Sequence, residues 1–200
     1  MTLIILGITI LLSIIALSND EVMRKLIFNP YIVNHKREWY RFFTSGFIHA
    51  DWMHLLVNMF VLFGFGQAVE SYYGAVFGDK GSYYFVLLYM GGLLVSSAPT
   101  YAKNKENSWY NSLGASGAVS GILFAAILFE PWQKIYFWGI IGVPGILLGP
   151  LYLFYEWKSG KRENDNINHD AHFWGAIFGV LFTIILKPSI AIYFFNKLVG

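Results

Sequence analysis

Charge is distributed along this chain in a way that leaves few folds open. Six stretches carry no Asp, Glu, Lys or Arg: Met1–Asn19, Trp52–Val69, Gly81–Ala102, Asn107–Phe129, Ile135–Tyr155 and Ala171–Leu186. An α-helix needs about 20 residues, within a range of ~17–25, to cross ~30 Å of hydrocarbon. Five runs reach that length. The sixth is extended by Lys187, which can snorkel, and by apolar residues up to Asn196. The runs are continuous rather than alternating, which argues against a β-barrel, and they lack the polar face of a soluble amphipathic helix. The expected architecture is an all-α membrane protein. It is a polytopic bundle of six transmembrane helices in a single domain, residues 1–200, with a long first loop (19–50) partly embedded in the membrane. Trp39, Tyr40 and other aromatics in that loop suit the interface.

Composition agrees. Apolar residues are 56% and charged residues 13%, against ~25% charged in a soluble domain. The net charge of +2 lacks the footprint of a nucleic-acid binder, and the absence of cysteine removes thiol chemistry and disulfides. Ala16-Leu17-Ser18 has the small residues of a leader-cleavage site. No Lys or Arg precedes it, so an uncleaved first helix is expected.

Polar residues inside such runs cost free energy unless paired, so they mark function or packing. In Gly114-Ala115-Ser116-Gly117, the glycines allow close approach to Ser116, which falls near a helix N-terminus where free N–H groups favour an anion. Gly117 and Gly121 are also spaced as a helix-packing surface. His172 opens the last run and is followed by Gly175 and Gly179, again four apart. One intervening helix returns the chain, so both helices run in the same direction. Packing of their glycine faces would bring the Ser116 hydroxyl to the His172 imidazole, as base activation of serine requires. His169 competes with His172 as the base. His54 and Asn58, at i and i+4, share a helix face and suit either an oxyanion or an interhelical clamp.

These residues together resemble the rhomboid family of intramembrane serine proteases. The matching pieces are Gly114-Ala115-Ser116-Gly117, Ala171-His172-Phe173-Trp174-Gly175 and His49…His54-Leu55-Leu56-Val57-Asn58. Trp39-Tyr40-Arg41 and Phe63-Gly64 with Glu70 are similar to further family elements, and the six-helix count agrees with the family's basic bacterial form. The resemblance implies a Ser116–His172 dyad with no acidic third member. It implies an oxyanion site made by His54, Asn58 and the Ser116 N–H, with Gly114, Ala115 and Gly117 forming the active-site loop. Arg41 and Glu70 become structural, and the first loop braces the bundle. Ser120 stands where many members carry an aromatic against the catalytic ring, which leaves Asn168, Ser120 or an aromatic from elsewhere to orient His172.

The implied partners are transmembrane protein substrates and the lipid bilayer, with no nucleic acid, cofactor or metal. Substrate segments of weak helix formers are expected. His49, Asp51, His54, His169, Asp170 and His172 are zinc-ligand types, but no His-Glu-x-x-His motif is present, and His49 and His54 lie about 140° apart on a helix. Counting basic residues, Arg162 among them, places the excess on the Ser116 side, which alone would make that side cytoplasmic. Five of those charges belong to the embedded first loop. The expectation therefore follows the family: a multi-pass protein of the bacterial inner membrane whose site opens to the extracytoplasmic face.

Overall fold

The computed structural model describes residues 1–137, 140–161 and 167–200; Arg162, used in the charge count, lies outside them. The described chain is largely α-helical. Its helices are α1 (Thr2–Ser18), α2 (Asp20–Leu26), α3 (Pro30–Lys36), α4 (Arg41–Thr44), α5 (Trp52–Phe77), α6 (Gly81–Asn104) and α7 (Ser116–Phe129). A two-stranded hairpin, β1 (Lys134–Phe137) and β2 (Ile141–Pro144), leads to α8 (Gly145–Ser159), α9 (His169–Leu186) and α10 (Ser189–Val199).

Local chemistry sets most boundaries. The Asn19 side chain accepts from the N–H groups of Glu21 and Val22 and starts α2. Asn29 accepts from Ile32 N–H ahead of Pro30 and starts α3. Asp51 accepts from His54 N–H and starts α5. These caps break the first loop into short helices. The loop is tied to the chain before α7 by paired hydrogen bonds between Phe28 and Ser112, at 3.0 and 2.9 Å.

The helical stretch Trp52–Asn104 and the helix His169–Leu186 are long and apolar enough to cross a membrane. Exposure supports a lipid setting. Phe60, Ile185 and Leu151 face outward, whereas Thr9, Ser13, Ser96, Thr100 and Thr183 are buried. A lipid-facing surface is apolar, and polar side chains turn inward to find partners. One such partnership joins α5 to α9, where the Tyr73 hydroxyl meets Thr183 Oγ1 at 2.6 Å.

Two expected spans are shorter than the uncharged runs. Within Asn107–Phe129 only the 14 residues from Ser116 are helical. Gly114, at φ 114°, and the bridge to Phe28 hold the preceding residues as a loop. Within Ile135–Tyr155 the helix begins at Gly145, because Lys134–Phe137 and Ile141–Pro144 pair as antiparallel strands. Helix α7 is the centre of the bundle. Every residue from Gly117 to Phe129 except Leu123 is buried, and α7 packs most extensively on α9, then on α6 and α5.

Candidate active site

The α7–α9 seam is built from glycine. A Cβ on Gly175 would overlap the Gly117 carbonyl, and one on Gly179 would overlap that of Gly121. The two backbones therefore touch, as the small-xxx-small spacing in each helix anticipates. A Cβ on Gly117 would in turn strike the Ser96 side chain of α6.

Ser116 is the first residue of α7 and His172 lies in the first turn of α9. The seam brings their side chains together, with His172 Nε2 2.8 Å from Ser116 Oγ. Ser116 and His172 are half-buried. The first N–H groups of α7, that of Ser116 included, have no intrahelical acceptor and carry the positive end of the helix dipole.

The loop ahead of Ser116 is held by backbone contacts. Gly114 N–H donates to Ser45 O at 2.9 Å, and Ala115 N–H donates to His49 Nε2 at 3.4 Å. A lone pair at Nε2 requires the hydrogen on Nδ1, so His49 donates to Ser13 Oγ (3.0 Å), which donates to Phe47 O (3.2 Å). His49 is fully buried, and its role is to hold this loop.

His54 and Asn58 share one face of α5. The His54 ring lies against Gly114, so close that a Cβ there would overlap it, and edge-on to His49 at 4.9 Å. Asn58 Nδ2 donates one hydrogen to His54 O at 2.9 Å, which leaves its second hydrogen for another acceptor.

The neighbour that the sequence did not reveal is Glu156, near the end of α8 and 4% exposed. One carboxylate oxygen stands 3.2 Å from His172 Nδ1 and the other 2.5 Å from His169 Nδ1. His169 thus faces the carboxylate rather than the serine. The alternatives for orienting His172 have other partners. Ser120 meets the Tyr152 hydroxyl at 2.9 Å, and Asn168 donates to Thr100 Oγ1 and Ser112 Oγ while capping α9. Asn168 and Ser112 thereby fasten the start of α9 to the loop before α7. Tyr152, one turn before Glu156, fastens α8 to α7.

Glu156, His169 and His172 also form a group of metal-ligand types whose donor atoms lie within 4.8 Å of one another. Two ligands of a tetrahedral zinc, each at ~2.0–2.1 Å, stand about 3.3 Å apart. At 2.5 Å, His169 Nδ1 and Glu156 Oε2 are closer than two ligands of one zinc and meet each other directly. Among the other zinc-ligand types, His49 is spent on Ser13 and Ala115, and Asp51 on the α5 cap.

Arg41 and Glu70 are structural. Arg41 is buried and donates to Glu38 and to the carbonyls of Arg24 and Ile27. Glu70 accepts from Thr2 N–H at 2.9 Å and joins α5 to α1.

Comparison with known proteins gives this arrangement a family. Residues 36–189 match the Rhomboid domain. The chain is 33% identical over 172 residues to Rhomboid-like protein 11, chloroplastic, of Arabidopsis thaliana, an alignment covering 78% of this chain and 56% of the relative. It is 31% identical to the putative rhomboid protease YdcA of Bacillus subtilis, covering 74% and 67%. It is 25% identical to rhomboid protease AarA of Providencia stuartii, covering 80% and 61%. The chain spans little more than half the length of the first of these. Plant organellar and bacterial proteins match alike, so the comparisons reach the family and not the bacterial six-helix form in particular. The chain belongs to the rhomboid family.

Proposed function

We propose that this protein is an intramembrane serine endopeptidase that cleaves transmembrane segments of other membrane proteins. The observation that carries the reading is the 2.8 Å contact between Ser116 Oγ and His172 Nε2 at the N-terminus of α7. Ser116 Oγ attacks the carbonyl carbon of the scissile peptide while His172 Nε2 takes its proton. The oxyanion is received by the Ser116 N–H, the His54 ring and the free hydrogen of Asn58 Nδ2. His172 returns the proton to the leaving amine. A water, deprotonated by His172, then releases the acyl group from Ser116.

Length supports a site below the membrane surface. The 14 residues of α7 rise about 21 Å, short of the ~30 Å of hydrocarbon. With its C-terminus at one interface, α7 carries Ser116 at membrane depth. Six membrane-embedded helices (α1, α5, α6, α7, α8 and α9) form the single domain in this reading. The setting is a bacterial inner membrane with the site open to the extracytoplasmic face. Substrate helices unwind to present a peptide bond, so segments with Gly or Pro are cleaved faster than Leu-rich ones.

The test is labelling of purified protein by a fluorophosphonate, which reacts with an activated serine without knowledge of the substrate. Wild type labels, and Ser116→Ala and His172→Ala do not. Labelling that survives His172→Ala would overturn the dyad, and folded wild type that never labels would overturn the proteolytic reading.

A further inference from the structure

We infer that Glu156 is a positioning residue that extends the Ser116–His172 pair to a Ser-His-Glu triad, with His169 holding the carboxylate in place. The inference deepens the proteolytic reading and rests on it for its kinetic consequence. The dyad implied by family resemblance has no acidic member, and Glu156 supplies one in this chain.

The argument begins with the tautomer. A neutral imidazole carries one hydrogen, on either nitrogen. Only the form with Nδ1–H leaves a lone pair at Nε2, where Ser116 Oγ stands at 2.8 Å. An ionised carboxylate accepts and cannot donate, so Glu156 Oε1, 3.2 Å from Nδ1, selects that form. When the serine proton arrives, the positive ring has an anion on its far side, in surroundings where charge pairing is stronger than in water.

A carboxylate serves this purpose only if it is itself fixed. His169 Nδ1–H donates to the second oxygen, Oε2. His169 and His172 are i and i+3 on α9, so they grip the carboxylate from one face of one helix. On α8, Tyr152 is i and i+4 with Glu156 and meets Ser120 of α7. Helix α8 is thus registered against α7 by Tyr152 and against α9 by Glu156. Ser120 takes part by meeting the Tyr152 hydroxyl at 2.9 Å.

Two measurements test this together. The first is the second-order rate of fluorophosphonate labelling in wild type, Glu156→Gln and Glu156→Asp, each checked for cooperative thermal unfolding in detergent. A Gln amide can donate to Nδ1 and favour the unproductive tautomer, and the analogous change in a serine-protease triad costs about 10⁴-fold. Glu156→Gln slows labelling by about 10²-fold or more, and Glu156→Asp recovers part of the rate. Labelling of folded Glu156→Gln at the wild-type rate overturns the inference, as does loss in both variants in proportion to loss of fold.

The second is ¹⁵N NMR of histidine-labelled wild type and Glu156→Gln, with His172 assigned through His172→Ala. The Nδ1–H tautomer is expected in wild type, and its loss in the Gln variant. A wild-type Nε2–H tautomer overturns the inference whether or not any variant folds. The spectrum is independent of catalysis. An unlabelled wild type with the expected tautomer therefore sinks the protease reading and leaves the Glu156–His172 relationship standing.

Discussion

Gly175 and Gly117 meet backbone to backbone, with no room for a single methyl group between the α-carbon of one and the carbonyl of the other. The contact lies one residue past Ser116 and three past His172, so the distance between hydroxyl and imidazole is set here. Gly175→Val forces the helices apart against rigid backbone. Overpacking of this kind costs roughly 1–3 kcal/mol, and a separation of about 1 Å can cost 10²-fold in rate. The expected result is a lower unfolding temperature and fluorophosphonate labelling reduced at least tenfold. Gly64→Ala, facing open space on α5, should leave both unchanged.

Gly114 is constrained differently. Its φ of 114° lies outside what side chains readily adopt, and a Cβ would run into the His54 ring. Gly114→Ala should displace His54 and strain the loop by about 1–3 kcal/mol. Because the atoms that a Cβ on Gly114 meets are those of His54 and not of Ser116 or His172, the stronger effect should fall on oxyanion stabilisation. A decrease in the rate of labelling, with apparent probe affinity nearly unchanged, is the expected signature. Wild-type kinetics in Gly114→Ala would remove His54 from the oxyanion site.

How much of this was legible in the sequence depends on what charge can report. The uncharged runs located α6 and α9 well, because charges flank them, and the end of α1, where Asp20 follows. They misjudged α7 and α8. Asn107–Ala115 is polar without being charged, so a charge map cannot separate that loop from the helix it precedes. The hairpin before α8 is apolar enough to pass for membrane helix. The glycine spacing anticipated the α7–α9 seam, since small residues four apart have few other uses on apolar helices. Glu156 was passed over because a lone acid at the end of an apolar run reads as the edge of the membrane. Its partners are 13 and 16 residues further on. The available signal was the coincidence of two faces, Tyr152 with Glu156 and His169 with His172, on consecutive helices.

The first loop depends on Arg41. Its guanidinium, 6% exposed, pairs with Glu38 and fills two carbonyl acceptors of the α2 region at 2.8 and 2.7 Å. Arg41→Met leaves those groups unpaired and should cost about 3 kcal/mol, read as a fall in thermal stability. The Tyr40 hydroxyl, and next the Arg41 guanidinium, hold the Glu38 carboxyl below its ordinary 4.5. A lowered carboxylate contributes stability above its unfolded value and loses it as pH falls through the folded one. Wild type should therefore lose stability on acidification below about pH 4.5 more steeply than Glu38→Gln. Parallel curves for the two would show that the contact contributes nothing.

His49 gives the last prediction, and it separates holding a loop from taking part in chemistry. The imidazole receives Ala115 N–H at Nε2 and donates from Nδ1 to Ser13, so it links α1 to the residue before Ser116 without touching Ser116. His49→Phe keeps the ring and removes both hydrogen bonds, which leaves the Ala115 N–H buried and unpaired at a cost of about 1–3 kcal/mol. His49→Gln can restore an acceptor toward Ala115 and a donor toward Ser13. Thermal stability should fall in the Phe variant and return in part in the Gln variant, with labelling following stability in both. A metal ligand would behave otherwise: labelling would be abolished by a chelator in wild type and restored by zinc. The expected result is that labelling of wild type is unchanged by the chelator, and a chelator-sensitive rate would move His49 from the scaffold into the chemistry.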